Sequence, residues 1–295
     1  MNASTPPSPP SERIGLIGLG LMGSAMAKRL CGAGFAVVGW DVEPARRREF
    51  STGGGARAAV DAGEVFRDCR RVILSLPDSQ VVQAVVREAG SQLSAGHILL
   101  DTSTGDPAAA ETSGAELGRR GVEYLDATVS GSSAQVADGT AVFMVGGARA
   151  AYERCADLFA CLGERAFHTG VSGTGAKMKL ATNLVLGLNR AALAEGLAFA
   201  AALGLDAAQT LEIMRGSMAW SRIMDTKGEK MISGDFTPQA RLSQHLKDVR
   251  LMLAATHLEL PLTEAHRELL LRAEALGCGE LDNSAIRRAY DTKCE

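Results

Sequence analysis

The stretch Arg13-Ile14-Gly15-Leu16-Ile17-Gly18-Leu19-Gly20-Leu21-Met22-Gly23 decides the fold. Its first half is a short apolar run suited to a buried strand, and its second half is a glycine-rich turn that opens a helix ending near Gly34. In the spacing G-x-G-x-x-G each glycine has a separate task. Gly18 allows a tight turn, Gly20 lets the backbone approach a pyrophosphate, and Gly23 lets the helix pack closely on the strand. The helix start adds amide donors and the positive end of a helix dipole. A second apolar run, residues 36–40, ends at Asp41. Strand, turn, helix, strand and acid together make a dinucleotide site, with Leu19, Leu21 and Met22 lying against the cofactor beside the three glycines. Asp41 can accept hydrogen bonds from a ribose 2′-hydroxyl and would repel a 2′-phosphate, so NAD is the expected cofactor. Arg46-Arg47-Arg48 could reach such a phosphate, which keeps NADP open.

Outward from this turn, short apolar runs alternate with amphipathic stretches as far as about residue 169. The strand candidates are residues 14–17, 36–40, 72–76, 98–100, 122–125 and 142–145, with a weaker one at 166–168. Helical stretches at 22–33, 79–88 and 106–119 lie between them, the last opened by Asp106-Pro107 as a cap with proline in the first turn. This is the pattern of an α/β Rossmann domain, doubly wound on a mostly parallel sheet. After Gly175 the strand pattern stops. Helices are expected at 178–205, 207–215, 222–231, 240–258, 263–276 and 284–290. Gly170, Gly173 and Gly175 mark the boundary, giving a flexible tail at 1–12, a dinucleotide-binding domain at 13–172 and an all-α domain for substrate binding and oligomerisation at 173–295.

A chain of 295 residues that is 46% hydrophobic can bury two cores. The net charge of -3, with the basic residues spread along the chain, leaves no footprint for nucleic acid or an anionic membrane surface, so small molecules are the expected partners. Residues 178–205 are long and apolar enough to span a bilayer, yet Lys179, Asn183, Asn189, Arg190 and Glu195 interrupt them, as suits an interior helix. Six cysteines, at 31, 69, 155, 161, 278 and 294, form no C-x-x-C pair or Cys/His cluster, so no metal is expected and the thiols read as reduced and cytoplasmic. Residues 1–11 hold four prolines and no basic start before an apolar run, unlike a signal peptide. No G-x-S-x-G elbow of a serine hydrolase occurs.

Four motifs in order carry a family resemblance: the glycine turn, Asp126-Ala127-Thr128-Val129-Ser130-Gly131, Gly173-Thr174-Gly175-Ala176-Lys177-Met178-Lys179-Leu180-Ala181-Thr182-Asn183, and Lys247-Asp248. The chain from Arg13 onward resembles the 3-hydroxyacid dehydrogenases, the group of 3-hydroxyisobutyrate dehydrogenase and tartronate semialdehyde reductase. The resemblance implies a Rossmann domain, a long interdomain helix and a helical domain, with the active site in the cleft between domains and a homodimer or homotetramer as the assembly. It also implies hydride transfer between NAD and the hydroxyl carbon of a small 3-hydroxy carboxylic acid, with Lys179 as general acid/base and Asn183 beside it. Residues four apart share a helix face, so Lys179 and Asn183 can converge on one substrate. The usual lysine pKa of about 10.4 must fall for a base role near neutral pH, which partial burial beside a cationic nicotinamide favours.

By the same resemblance Ser130, Gly131 and Ser132 hold the substrate carboxylate, while Leu76, Pro77, Ser103, Thr104 and Lys247 touch the cofactor, Lys247 as part of a lid. Many relatives have Pro where this chain has Thr128 and Gly where it has Ser132, so a more polar pocket is expected. The alternatives are reduction of a small semialdehyde or imine with NADP, or a dinucleotide-binding sensor without catalysis. Ala176 argues against a decarboxylating dehydrogenase, which has a histidine shortly before the lysine. Lys179 argues against the imine reductases, which generally lack it.

Overall fold

The computed structural model describes residues 12–51 and 55–291; the expected tail, apart from Glu12, and Cys294 lie outside these. The chain divides into two compact units, Met1–Lys179 and Leu180–Glu295.

In the first unit β1 (Arg13–Ile17), α1 (Leu21–Gly32), β2 (Ala36–Trp40), α2 (Pro44–Phe50), β3 (Ala56–Ala58), α3 (Ala62–Asp68), β4 (Arg71–Leu74), α4 (Ser79–Ala89) and β5 (Ile98–Asp101) follow one another. Then come α5 (Pro107–Gly118), β6 (Glu123–Ser130), α6 (Ser133–Asp138), β7 (Ala141–Gly146), α7 (Arg149–Arg154), α8 (Ala156–Leu162) and β8 (Gly163–Gly170). The strands form one eight-stranded sheet in the order β3-β2-β1-β4-β5-β6-β7-β8. Every neighbouring pair is parallel except β6 with β7, so the sheet is the mostly parallel, doubly wound one expected.

Alternation along the strands feeds two cores, because successive side chains point to opposite faces. Leu16, Ile73, Ile98 and Leu100 join Met26 and Leu30 of α1 on one face. Ile17, Val72, Leu74 and Leu99 join Val65 and Phe66 of α3 and Val82 of α4 on the other. Each such side chain, fully buried, contributes roughly 1.5–3 kcal/mol. Short elements escape the sequence pattern. β3 reads Ala-Arg-Ala and has no apolar run, and α2, α3, α6, α7 and α8 have only six or seven residues each.

α9 (Thr174–Ala202) is a single helix of 29 residues. Its residues up to Lys179 group with the sheet and the remainder with the helical unit. By length and composition it could cross a membrane, but it is a partly buried core helix in which Lys179, Asn183 and Arg190 are all buried. The second unit continues with α10 (Ala207–Arg215), α11 (Arg222–Ser233), α12 (Leu242–Ala254) and α13 (Pro261–Ala273), and closes with a 3-10 turn at Asn283–Tyr290 where an α-helix was expected.

Its apolar core encloses a polar hub at Asp282. The fully buried Asp282 accepts from Lys227 Nζ at 2.9 Å through both carboxylate oxygens, from the Gln239 and Ser284 amides at 2.9 and 3.1 Å, and from the Ser284 hydroxyl at 2.7 Å. Burial pushes this carboxyl up, but these donors outweigh it and hold the group at about 2. A carboxylate depressed by folding stabilises above its unfolded pKa of about 3.9. The contribution is therefore full at neutral pH and fades as pH falls from about 4 to 2. Asp282→Asn, which leaves Lys227 buried without its counterion, is expected to cost about 3 kcal/mol at pH 7 by urea unfolding. The deficit should shrink below pH 4.

Candidate active site

The carboxyl ends of β1, β2, β4, β5 and β6 bring most of the expected site residues to one edge of the sheet. The turn after β1 is built on main-chain contact. Gly18 has φ +97°, and a Cβ on it would lie 2.2 Å from Ser75 O; one on Gly23 would lie 1.9 Å from Gly18 O. Both positions therefore require glycine for the turn itself. Gly20 differs, since a Cβ there meets only Arg46 Nη1, at 3.8 Å. Its bare face opens outward, as a backbone that receives a ligand must. Gly20 also stands at the N-cap of α1, where no side chain caps the helix, and the first turn carries no acid. The uncapped amides and dipole suit a pyrophosphate, so these residues fit a dinucleotide.

Asp41, 4% exposed, turns its carboxylate onto this loop: Oδ2 accepts from Leu19 N at 2.7 Å and Oδ1 from Glu43 N at 2.8 Å. Of the arginine run, Arg46 Nη1 lies 3.3 Å from Asp41 Oδ2, and Arg47 donates to the Asp41 and Val42 carbonyls. Leu76 and Pro77 follow β4, and Ser103 and Thr104 follow β5. Ser103 Oγ accepts from Leu76 N at 3.0 Å and ties the two loops together, an effect of strand adjacency that motif spacing does not reveal.

The end of β6 holds the lysine. Lys179, 8% exposed, donates from Nζ to Val129 O at 2.6 Å, next to Ser130 and Gly131. Lys177 faces elsewhere and pairs with Glu111 at 2.6 Å. Two polar residues of the β6 segment behave differently from expectation. Thr128 is 1% exposed and its hydroxyl donates to the Gly175 carbonyl at 3.0 Å, with Met144 O a second acceptor at 3.2 Å, so it adds nothing polar to a pocket. Ser132 forms a capping box with Gln135 at the start of α6, which occupies its hydroxyl.

Asp126, which opens the second family motif but is given no role there, is buried. Its Oδ1 accepts from Gly173 N at 2.9 Å and its Oδ2 from Ala176 N at 2.8 Å. Burial raises this carboxyl, and main-chain amides of the α9 start oppose the rise. Asp101 is its register partner on β5 and is likewise raised by burial, its oxygens accepting from Ser103 N and Tyr124 Oη. In the second unit Asn183 Nδ2 donates to Asp248 Oδ2 at 3.1 Å, and Lys247 Nζ lies 3.9 Å from Asp248 Oδ1. Asp248 therefore orients the asparagine amide. No group of three or more potential metal ligands occurs among the described residues.

Residues 13–187 match the family model described as the NAD binding domain of 6-phosphogluconate dehydrogenase, and residues 173–290 match that described as NAD-binding of NADP-dependent 3-hydroxyisobutyrate dehydrogenase. The chain is 33% identical to 2-hydroxy-3-oxopropionate reductase of Escherichia coli over 285 residues, covering 95% of this chain and 97% of the relative. It is 30% identical to L-threonate dehydrogenase of Cupriavidus necator over 287 residues, covering 95% and 96%. The solved structure of Mycobacterium tuberculosis 3-hydroxyisobutyrate dehydrogenase with L-serine superposes with a TM-score of 0.87 at 27% identity, covering 96% of this chain and all of that one. Matching over both units, this chain belongs to the 3-hydroxyacid dehydrogenase family and is an NAD(P)-dependent dehydrogenase acting on the CH–OH group of hydroxy acids.

Proposed function

We propose that the enzyme transfers hydride between NAD and the hydroxyl-bearing carbon of a small 3-hydroxy carboxylic acid, of the kind represented by 3-hydroxyisobutyrate. The observation that carries this reading is the buried Nζ of Lys179 at the end of β6, 2.6 Å from Val129 O and adjoining the Ser130-Gly131 turn. There one short strand end offers an acid/base and a substrate-carboxylate site together. The bound nicotinamide supplies the hydride acceptor or donor. Gly18, Gly20 and Gly23 with Leu19, Leu21 and Met22 would hold the dinucleotide at its pyrophosphate, with Leu76, Pro77, Thr104 and Lys247 as further cofactor contacts. Lys179 Nζ, as the neutral amine, takes the hydroxyl proton during oxidation and becomes the ammonium, which returns it to the developing alkoxide during reduction. Asn183, oriented by Asp248, positions the substrate oxygen. Main-chain amides at Ser130 and Gly131, with the Ser130 hydroxyl, bind the carboxylate; Ser132, whose hydroxyl and main-chain N–H are both engaged with Gln135 in the cap, closes the carboxylate turn at the start of α6.

The preference for NAD rests on Asp41, which Leu19 N and Glu43 N hold beside the turn. Arg46 is the residue through which a 2′-phosphate would be accepted. The five described cysteines are free thiols, in keeping with a cytoplasmic enzyme. Val185, Phe199, Leu203 and Leu205 stand exposed on and just beyond α9, and we assign this surface to contact between copies of the chain in a dimer or tetramer.

Lys179→Ala should lower turnover by roughly 100-fold or more while leaving the dissociation constant for NADH within about threefold. Turnover would be read as NADH absorbance against hydroxyisobutyrate, glycerate, serine and threonate, and binding by NADH fluorescence titration. Retained turnover would overturn the role of the lysine. Gly20→Ala should keep the melting temperature of the parent yet weaken NADH binding roughly tenfold, about 1.4 kcal/mol. Gly18→Ala, by contrast, should lower the melting temperature itself.

A further inference from the structure

The first turn of α9 is held by the strand beside it. Along β6, Asp126 accepts from Gly173 N and Ala176 N, Thr128 donates to Gly175 O, and Val129 O receives Lys179 Nζ. These contacts sit in tightly closed surroundings. A Cβ on Gly175 would lie 2.2 Å from Asp126 O, and one on Gly146 would lie 2.5 Å from Asp126 Oδ1. A buried carboxylate is costly unless its lone pairs are filled, and here the amides of a helix start fill them, where the dipole also favours an anion. Ala176 and Lys179 are three residues apart on one helix face. Pinning 175 and 176 to β6 therefore sets both the height and the rotation at which the lysine leaves the helix.

We propose that Asp126 and Thr128 are positioning residues for Lys179. Through main-chain hydrogen bonds they lock the first turn of α9 to β6, so that the ammonium lies at the Val129 carbonyl. The proposal rests on the acid/base reading of Lys179. Within Thr128 the two functions separate: the hydroxyl positions the helix and the methyl fills the core.

The test compares Thr128→Val, Thr128→Ser, Asp126→Asn and Lys179→Ala. Three quantities are read: kcat with the KM for NAD, the melting temperature, and the rate at which Lys179 is reductively methylated in the enzyme without dinucleotide, followed by peptide mass spectrometry. Thr128→Val should lower kcat roughly tenfold and Asp126→Asn roughly 100-fold, as small misplacements of a reacting group do, with the KM for NAD little changed. Both should alter the methylation rate of Lys179 at least threefold. Thr128→Ser, which keeps the hydroxyl, should restore kcat and the methylation rate to within about twofold of the parent, although loss of the methyl lowers its melting temperature. Parent values of kcat and methylation rate in Thr128→Val would overturn the proposal. So would a Thr128→Ser enzyme as impaired as Thr128→Val. If Lys179→Ala keeps turnover, the acid/base reading falls, and the methylation rates still decide whether β6 holds the side chain.

Discussion

The carboxylate of Asp126, closed off from water and satisfied by main-chain amides, is the constraint on which the arrangement of the first unit turns. A charge in that position is tolerated only while the amides that solvate it stay in place, so the sheet and the start of α9 behave as one object. The reversal of strand direction at β7 makes this possible. With β7 antiparallel to β6 and β8 parallel to β7, the chain leaves the sheet at the edge away from the glycine turn. α9 then runs back along β6, and its lysine arrives at the edge where Gly18, Asp41, Leu76 and Thr104 already stand.

The same device recurs at two other aspartates with different results. Asp41 accepts the Leu19 and Glu43 amides and keeps the glycine turn in shape beside the dinucleotide site. Asp282 accepts the Gln239 and Ser284 amides together with Lys227 and gathers α11, the approach to α12 and the C-terminal 3-10 turn around one point. In each case a short side chain replaces water for main-chain donors that no regular element satisfies. Apolar burial supplies most of the stability of both units, and the aspartates choose which of many compact arrangements is adopted.

Most strands of the sheet were legible because each is a run of apolar residues feeding cores on two faces, as Leu16 and Ile17 show. The antiparallel setting of β7 was not, since strand direction leaves no mark on a six-residue apolar segment. β3 was invisible because an edge strand of three residues needs no core-facing run. Among site residues, motif spacing could point to Lys179 and to the glycines, whose chemistry is tied to residue type. It could not show that the Thr128 hydroxyl turns inward to Gly175 or that Ser132 is engaged in a cap, because both outcomes depend on partners brought close only by folding. The role of Asp126, though the residue stands in a quoted motif, escaped for the same reason: it lies in burial and in main-chain amides that folding brings to it.

The bonds from β6 to residues 173, 175 and 176 also determine what kinds of change this segment can undergo. Each residue advances an α-helix by about 100° around its axis and 1.5 Å along it. An insertion or deletion between Ala176 and Lys179 would swing the lysine to another side of the helix while the clamp stayed closed. Substitution leaves that angle untouched. The count of residues in this stretch is thus more tightly bound than their identity, and diversification within it must proceed by exchange of side chains at constant length.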